Sequence, residues 1–136
     1  MKAQQENWKQ FNEIPWIQNG RNENRHFGTT KWFISDHGYV KREYYDLEGQ
    51  LVKSIEVNQY WKGKSKKYLC IPTGEYIHRL VAQHFIPNPQ NLRLVLFIDG
   101  DLENTHVSNL IWSDGIGHRK GQKYGPRRKN KYFITN

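Results

Sequence analysis

A chain of 136 residues with 36% hydrophobic and 14% aromatic side chains can bury one modest core, which excludes a disordered tail. Its single cysteine, Cys70, excludes an internal disulfide and a cysteine-rich zinc cluster and fits a reducing compartment. The formal net charge is +8, no apolar run approaches the roughly 20 residues that span a bilayer, and Met1 to Glu6 lead into no apolar signal segment, so neither a membrane protein nor an exported one is expected.

In chain order, Met1 to Glu6 is polar and loose, and Trp8, Phe11, Ile14 and Trp16 are apolar enough to pack on the body. Asn19 to Arg25 is a loop by composition. Trp32 to Ser35 reads as a strand, Asp36-His37-Gly38 as a turn and Tyr39 to Tyr45 as the returning strand. Asp46 to Gln50 turns again, and the partial alternation of Val52, Ile55 and Val57 predicts a third strand over Leu51 to Tyr60. After a turn at Gly63-Lys64-Ser65, Lys67 to Ile71 reads as a fourth strand, and Pro72-Thr73-Gly74 leads into a helix.

That helix is read from Ile77, Leu80, Val81 and Phe85, which recur at helical spacing until Pro87 stops it. An apolar strand from Leu94 ends at the Asp99-Gly100 turn, and a polar loop leads to a second short strand, Asn109-Leu110-Ile111-Trp112. Beyond it, three glycines between Gly115 and Gly121 each weaken a helix by about 1 kcal/mol relative to alanine, so the next element is short or irregular. Gly125-Pro126 marks a break, after which Tyr132-Phe133-Ile134 offers an apolar anchor for the chain end. The expected fold is α+β: a small antiparallel sheet of hairpins, then a helix plus hairpin unit, then an irregular basic tail. The divisions fall at 1–74, 75–121 and 122–136, with the first two as subdomains of one unit.

The charge is unevenly placed. After Asp114 there is no acid, and the tail holds Arg119, Lys120, Lys123, Arg127, Arg128, Lys129 and Lys131. Those are seven of the 21 basic side chains, so the rest of the chain sets 14 against 13 acids and is nearly neutral. A second cluster is Lys62, Lys64, Lys66 and Lys67; Lys41 and Arg42 add cations among aromatic rings, and Arg79 on the helix is open to a phosphate or to an acid partner. Such concentration points to a polyanionic partner, nucleic acid first, although a basic tail also serves as a solvated surface. No DNA-reading helix is specified, so DNA and structured RNA are both open. His78 and His84 lie six apart and do not share a helix face, so no zinc pair is expected there.

The stretch Ile77 to Phe85, followed by Asp99-Gly100, Asn104, Asn109-Leu110 and Trp112, resembles the HNH homing endonucleases of phages and introns, the ββα-metal type. Those proteins carry a V-H-R-L-V-A-x-x-F helix and then a D-G … N … N-L-x-W hairpin. Trp8-Lys9, Glu13-Ile14-Pro15 and Trp32 to Arg42 resemble the family's leading segment, interrupted by an insertion around Trp16 to Lys31. The resemblance implies a source in a bacteriophage or mobile element and a cytoplasmic place in a bacterial host.

The departures bear on chemistry. The two residues before x-D-G are, in the family, a metal-binding Asp or Asn and a general-base His; here they are Leu96 and Phe97. Neither can hold a hard cation or take a proton from water. His118, at the family's next ligand position, has ligand chemistry but alone makes no site. Of the remaining acids and histidines near the hairpin, Asp99, Asp101, Glu103, His106 and His118, the turn Asp99 is expected to join Asn104 and Asn109 as a structural remnant that fixes the loop, Asp101 and Glu103 to be solvated, and nothing in the sequence requires His106 to rotate into the vacated base position. The expected function is nucleic-acid binding on an endonuclease-like scaffold with cleavage lost or weak and no cofactor. Two alternatives stay open: a nicking enzyme using Mg²⁺ or Mn²⁺ through moved ligands, and a phage protein that seizes a host nucleoprotein such as the ribosome, RNA polymerase or a defence complex.

Overall fold

The computed structural model describes residues 5–20, 24–62 and 68–115. Four strands, β1 (Trp8–Asn19), β2 (Asn24–Ser35), β3 (Val40–Asp46) and β4 (Leu51–Glu56), form an antiparallel sheet in the order β1-β2-β3-β4. The loop expected at Asn19 to Arg25 is narrower than that: Asn19, Asn24 and Arg25 belong to the strands, and residues 21–23 lie outside the described residues. Asn24 and Arg25 already pair with Asn19 and Gln18, and the β1–β2 hairpin is twelve residues long on each side. Its far end projects beyond the core, so Ile17, Gln18, Arg25 and His26 are all exposed and no burial period is written into the sequence. Two bulges adjust its register, one at Phe11 and one at Phe27. Beside the second, Gly28 sits at φ 152°, where a Cβ would collide with the Tyr45 carbonyl.

The β2–β3 turn is built from its own residues. Ser35 Oγ accepts from the backbone N–H groups of His37 and Tyr39, both at 3.1 Å. Asn7 donates to both Asp36 carboxylate oxygens, 3.0 Å from its backbone N and 2.9 Å from Nδ2. Gly38 lies at φ 91°, and a Cβ there would strike the Thr105 side chain, so the turn can press directly on the distant 101–106 loop.

The predicted third strand, Leu51 to Tyr60, is two elements. β4 ends at Glu56, Val57 turns into the core while its N–H donates to the Val40 carbonyl at 2.9 Å, and Tyr60 opens a separate hairpin. That hairpin pairs β5 (Tyr60–Lys62) with β6 (Tyr68–Cys70), so the predicted fourth strand does not join the main sheet.

Helix α1 (Ile77–Phe85) turns Ile77, His78, Leu80, Val81 and Ala82 inward and ends as the apolar spacing and Pro87 predict. Strands β7 (Leu94–Phe97) and β8 (Leu110–Ser113) form the final described hairpin, joined by a loop that closes with a 3-10 turn at Val107–Asn109. One core links both halves: Trp32, Ile34, Val40 and Val57 meet Ile71, Ile77, Leu80, Val81, Val95, Phe97 and Leu110. Lys9 secures the helix end from β1, with Nζ donating to the His84 carbonyl at 2.8 Å and lying 5.1 Å from the Phe85 ring centre. The architecture is therefore mixed α+β, mostly antiparallel sheet with one helix among the described residues. No described helix is long and apolar enough to cross a membrane. The third element expected after Trp112 and the Tyr132-Phe133-Ile134 anchor lie outside the described residues.

Candidate functional site at the β7–β8 hairpin

Four cross-strand pairs set the hairpin: Leu94 with Ser113, Val95 with Trp112, Leu96 with Ile111 and Phe97 with Leu110. Alternation along β7 sends Val95 and Phe97 to the core and Leu96 to the opposite face. Phe97 is wholly buried and Leu96 is 2% exposed. The Phe97 ring lies beneath two others, stacked on Tyr68 with centroids 6.1 Å apart and tilted against His78 at 5.0 Å. Tyr68 and His78 themselves stack at 4.7 Å. Burial pulls His78 down to a pKa of about 3, with a further push from the Arg79 charge, so its imidazole is neutral. Its Nδ1 is buried without a hydrogen-bond partner.

Beyond Phe97 the chain turns polar and bonds to itself. Asn109, 6% exposed, is the centre: its Oδ1 accepts from the Asp99 N–H at 2.9 Å, and its Nδ2 donates to Asp99 Oδ1 and the Asn104 carbonyl, both at 2.9 Å. Asp99 Oδ1 also accepts from the Asp101 N–H at 2.8 Å, and Oδ2 accepts from Asn104 Nδ2 at 3.0 Å. Burial works to raise the Asp99 pKa, but the hydrogen bonds from Asp101, Asn104 and Asn109 outweigh it and hold the carboxyl below its usual range. Both oxygens thus serve the loop. Asn109→Ala removes the buried amide whose three hydrogen bonds tie Asp99 to the Asn104 carbonyl, and is expected to cost about 1–3 kcal/mol in urea unfolding. Asn109→Asp is expected to cost at least as much near neutral pH, because it sets a second carboxylate against Asp99.

Over 67 residues, 49% of this chain, the sequence is 37% identical to an uncharacterized HNH endonuclease of Acanthamoeba polyphaga mimivirus. The chain is HNH-endonuclease-like over half its length. The matched stretch spans 17% of the mimivirus protein. No family model matches the chain, and no solved structure matches it.

In this HNH-like chain His106 does not turn toward Phe97. Its Nδ1 lies 3.1 Å from the Ser108 backbone N–H, which it accepts, and 2.9 Å from Ser108 Oγ, so the ring caps the 3-10 turn. Its face packs against His37 at 4.7 Å. His84 donates through Nδ1 to the Leu80 carbonyl at 2.8 Å. Among the described residues no three His, Cys, Asp or Glu side chains gather where a metal ion could sit. His118 lies outside the described residues.

The basic candidates separate by face. Lys41 and Arg42 are adjacent in β3 and point to opposite sides of the sheet. Lys41 pairs with Glu43 at 3.3 Å and lies 4.5 Å from the Trp8 ring centre. Arg42 lies over Trp32 at 4.6 Å and Tyr44 at 5.0 Å, on the side where Lys53 also meets Tyr44 at 4.6 Å. Lys62 Nζ donates to the Gly74 carbonyl at 3.3 Å and lies 5.0 Å from the Tyr76 ring centre. Arg79 bonds the Arg93 carbonyl and faces Trp112. Lys64, Lys66 and Lys67, and the tail residues Arg119, Lys120, Lys123, Arg127, Arg128, Lys129 and Lys131, fall outside the described residues. Sequence reasoning missed the Tyr68 and His78 cover over Phe97, and it missed Arg93. No spacing rule joins Tyr68 to Phe97 across 29 positions, and Arg93 stands alone between Leu92 and Leu94 with nothing local to mark it.

Proposed function

We propose that this chain is a nucleic-acid-binding protein on an HNH-endonuclease scaffold of the phage and intron homing type, with cleavage lost or weak. The observation that carries the reading is the burial of Phe97 under Tyr68 and His78 at the position where the resembled family holds its general base. No water reaches that ring, and its side chain carries no titratable atom. Asp99, Asn104 and Asn109 persist as loop architecture. The HNH-like match to the mimivirus protein supports a nucleic-acid partner, and the surplus of cations after Asp114 supplies its affinity. Residues 1–74 and 75–121 act as subdomains around one core, and 122–136 follows the phosphate backbone of DNA or structured RNA. Binding of this kind needs no cofactor.

The test couples two assays on the full chain. Plasmid incubated with Mg²⁺ or Mn²⁺ is expected to stay uncut, while binding to duplex DNA and structured RNA weakens steadily with salt. The slope of log affinity against log salt is expected near −0.9 for each phosphate neutralised on duplex DNA. Salt-independent binding, or nicking with ordinary turnover that Asp99→Ala or His118→Ala abolishes, refutes the proposal.

A further inference from the structure

The outward side of α1 forms one wall of a groove whose lining does not include Phe97. Its volume is about 690 Å³, within the range of small-molecule sites, and Arg79, Gln83, Asn91, Arg93 and Trp112 line it. Arg79 and Gln83 stand four apart and so share a helix face. Arg93 arrives immediately before β7, and Trp112 stands on β8 opposite Val95.

The groove is held in shape before any ligand arrives. Arg79 Nη1 donates to the Arg93 carbonyl at 2.9 Å, and the guanidinium lies 5.8 Å from the Trp112 ring centre. Trp112 is fixed in turn by its Nε1, which donates to the Ile86 carbonyl at 3.1 Å. The opposite wall is a tight loop: Asn88 Nδ2 donates to the Leu92 carbonyl at 2.9 Å, Asn88 Oδ1 accepts from the Leu92 N–H at 2.8 Å, and Asn91 sits at φ 56°. Asparagine tolerates that left-handed backbone better than most residues.

Its chemistry favours an anion attached to a flat ring. A guanidinium has five N–H donors, and the Arg93 carbonyl takes one of those on Arg79. Arg93 is exposed, and among the described residues neither arginine makes an ion pair. No Asp or Glu lines this groove, whereas the groove between the Asp36–Tyr39 turn and the 103–106 loop includes Glu103 and would repel a phosphate. Two permanent cations match a phosphate in the fork geometry arginine provides, and an indole beside them offers a stacking face. We propose that this groove seats one nucleotide unit of a nucleic-acid strand, its phosphate between Arg79 and Arg93 and its base or sugar against Trp112. This rests on the nucleic-acid reading above and names one place where the strand is held.

The full chain, labelled with ¹⁵N, is titrated with inorganic phosphate, a 5′-mononucleotide and short single-stranded DNA and RNA. The Trp112 indole N–H and Arg79 Nε–H resonances are expected to shift with the mononucleotide and the oligonucleotides. Arg93→Gln is expected to lower the salt slope of oligonucleotide binding by about 1, and Arg93→Glu by more, with the fold intact because the side chain is exposed. Oligonucleotide binding that leaves Trp112 and Arg79 unmoved and is indifferent to Arg93→Glu overturns this site alone. Binding of free phosphate or mononucleotide with oligonucleotides excluded overturns it too, since the groove then serves a free ligand. Absence of all nucleic-acid binding overturns both this site and the reading beneath it.

Discussion

Replacing Phe97 with alanine is expected to lower the unfolding free energy by about 3–5 kcal/mol, as a fully buried phenylalanine does when a cavity replaces it. The ring has no exposure and packs beneath both Tyr68 and His78, whose own stack resists collapse into the space left behind. Phe97→Leu, which retains most of the volume, is expected to cost much less. Urea unfolding measures both, as a shift in midpoint with little change in slope. The comparison bears on function. A general base in a working nuclease meets water and substrate, so its removal costs turnover and little stability. A Phe97→Ala variant that unfolds at nearly the wild-type midpoint would show that this ring is no part of the core. Phe97→His, which puts back the family's residue, is expected to lose stability without gaining cleavage, because it buries a second imidazole against His78 and leaves Leu96 beside it.

Stability is expected to fall as pH drops below about 6.5, by about 1.4 kcal/mol for each pH unit, down to the folded pKa of His78 near 3. The unfolded chain binds a proton on this imidazole at the ordinary value of 6.5, and the fold refuses it until about 3. Protons therefore favour the unfolded state throughout that window, and the contribution of His78 is fully present only above it. Asp36 and Asp99 add a second acid loss, but only from the carboxylate range downward. Burial opposes the lowered pKa of each, while Asn7 bonds to Asp36, with charge from His37 and His106, and the loop donors on Asp99 prevail. Between about pH 6.5 and 4 the loss belongs to His78. His78→Phe keeps a ring against Tyr68 and Phe97, removes the partnerless Nδ1 and is expected to flatten this limb. Urea midpoints for the two proteins near pH 7 and pH 5 decide it. A wild-type midpoint as high at pH 5 as at pH 7 would mean that the imidazole takes up its proton without unfolding.

Together these results would separate two uses of one scaffold. The loop from Asp99 to Asn109 preserves its shape through amide and carboxylate bonds, while the strand before it is apolar throughout. Among the described residues, cations stand beside rings at two places away from that loop: Arg42 and Lys53 at Tyr44, and Arg79 and Arg93 at Trp112.

The sequence by itself determined whatever depends on neighbours in the chain. Ile77, Leu80, Val81 and Phe85 write the period of α1 and Pro87 its end, while Asp99-Gly100 and the two asparagines write the last hairpin. Only the tertiary structure decided which strands share a sheet and what covers each side chain. Tyr60 leaves the sheet that β4 belongs to because Val57 is drawn into a core built largely from later residues. The far end of the β1–β2 hairpin, Ile17 and Gln18 against Arg25 and His26, is strand without a burial pattern because those residues extend past the core and stay exposed. Tyr68 reaches Phe97, and Arg79 reaches Arg93 and Trp112, only after the chain has folded back on itself. Helical period and turn chemistry act within a few residues, whereas burial is a property of the whole packed body and has no local signature.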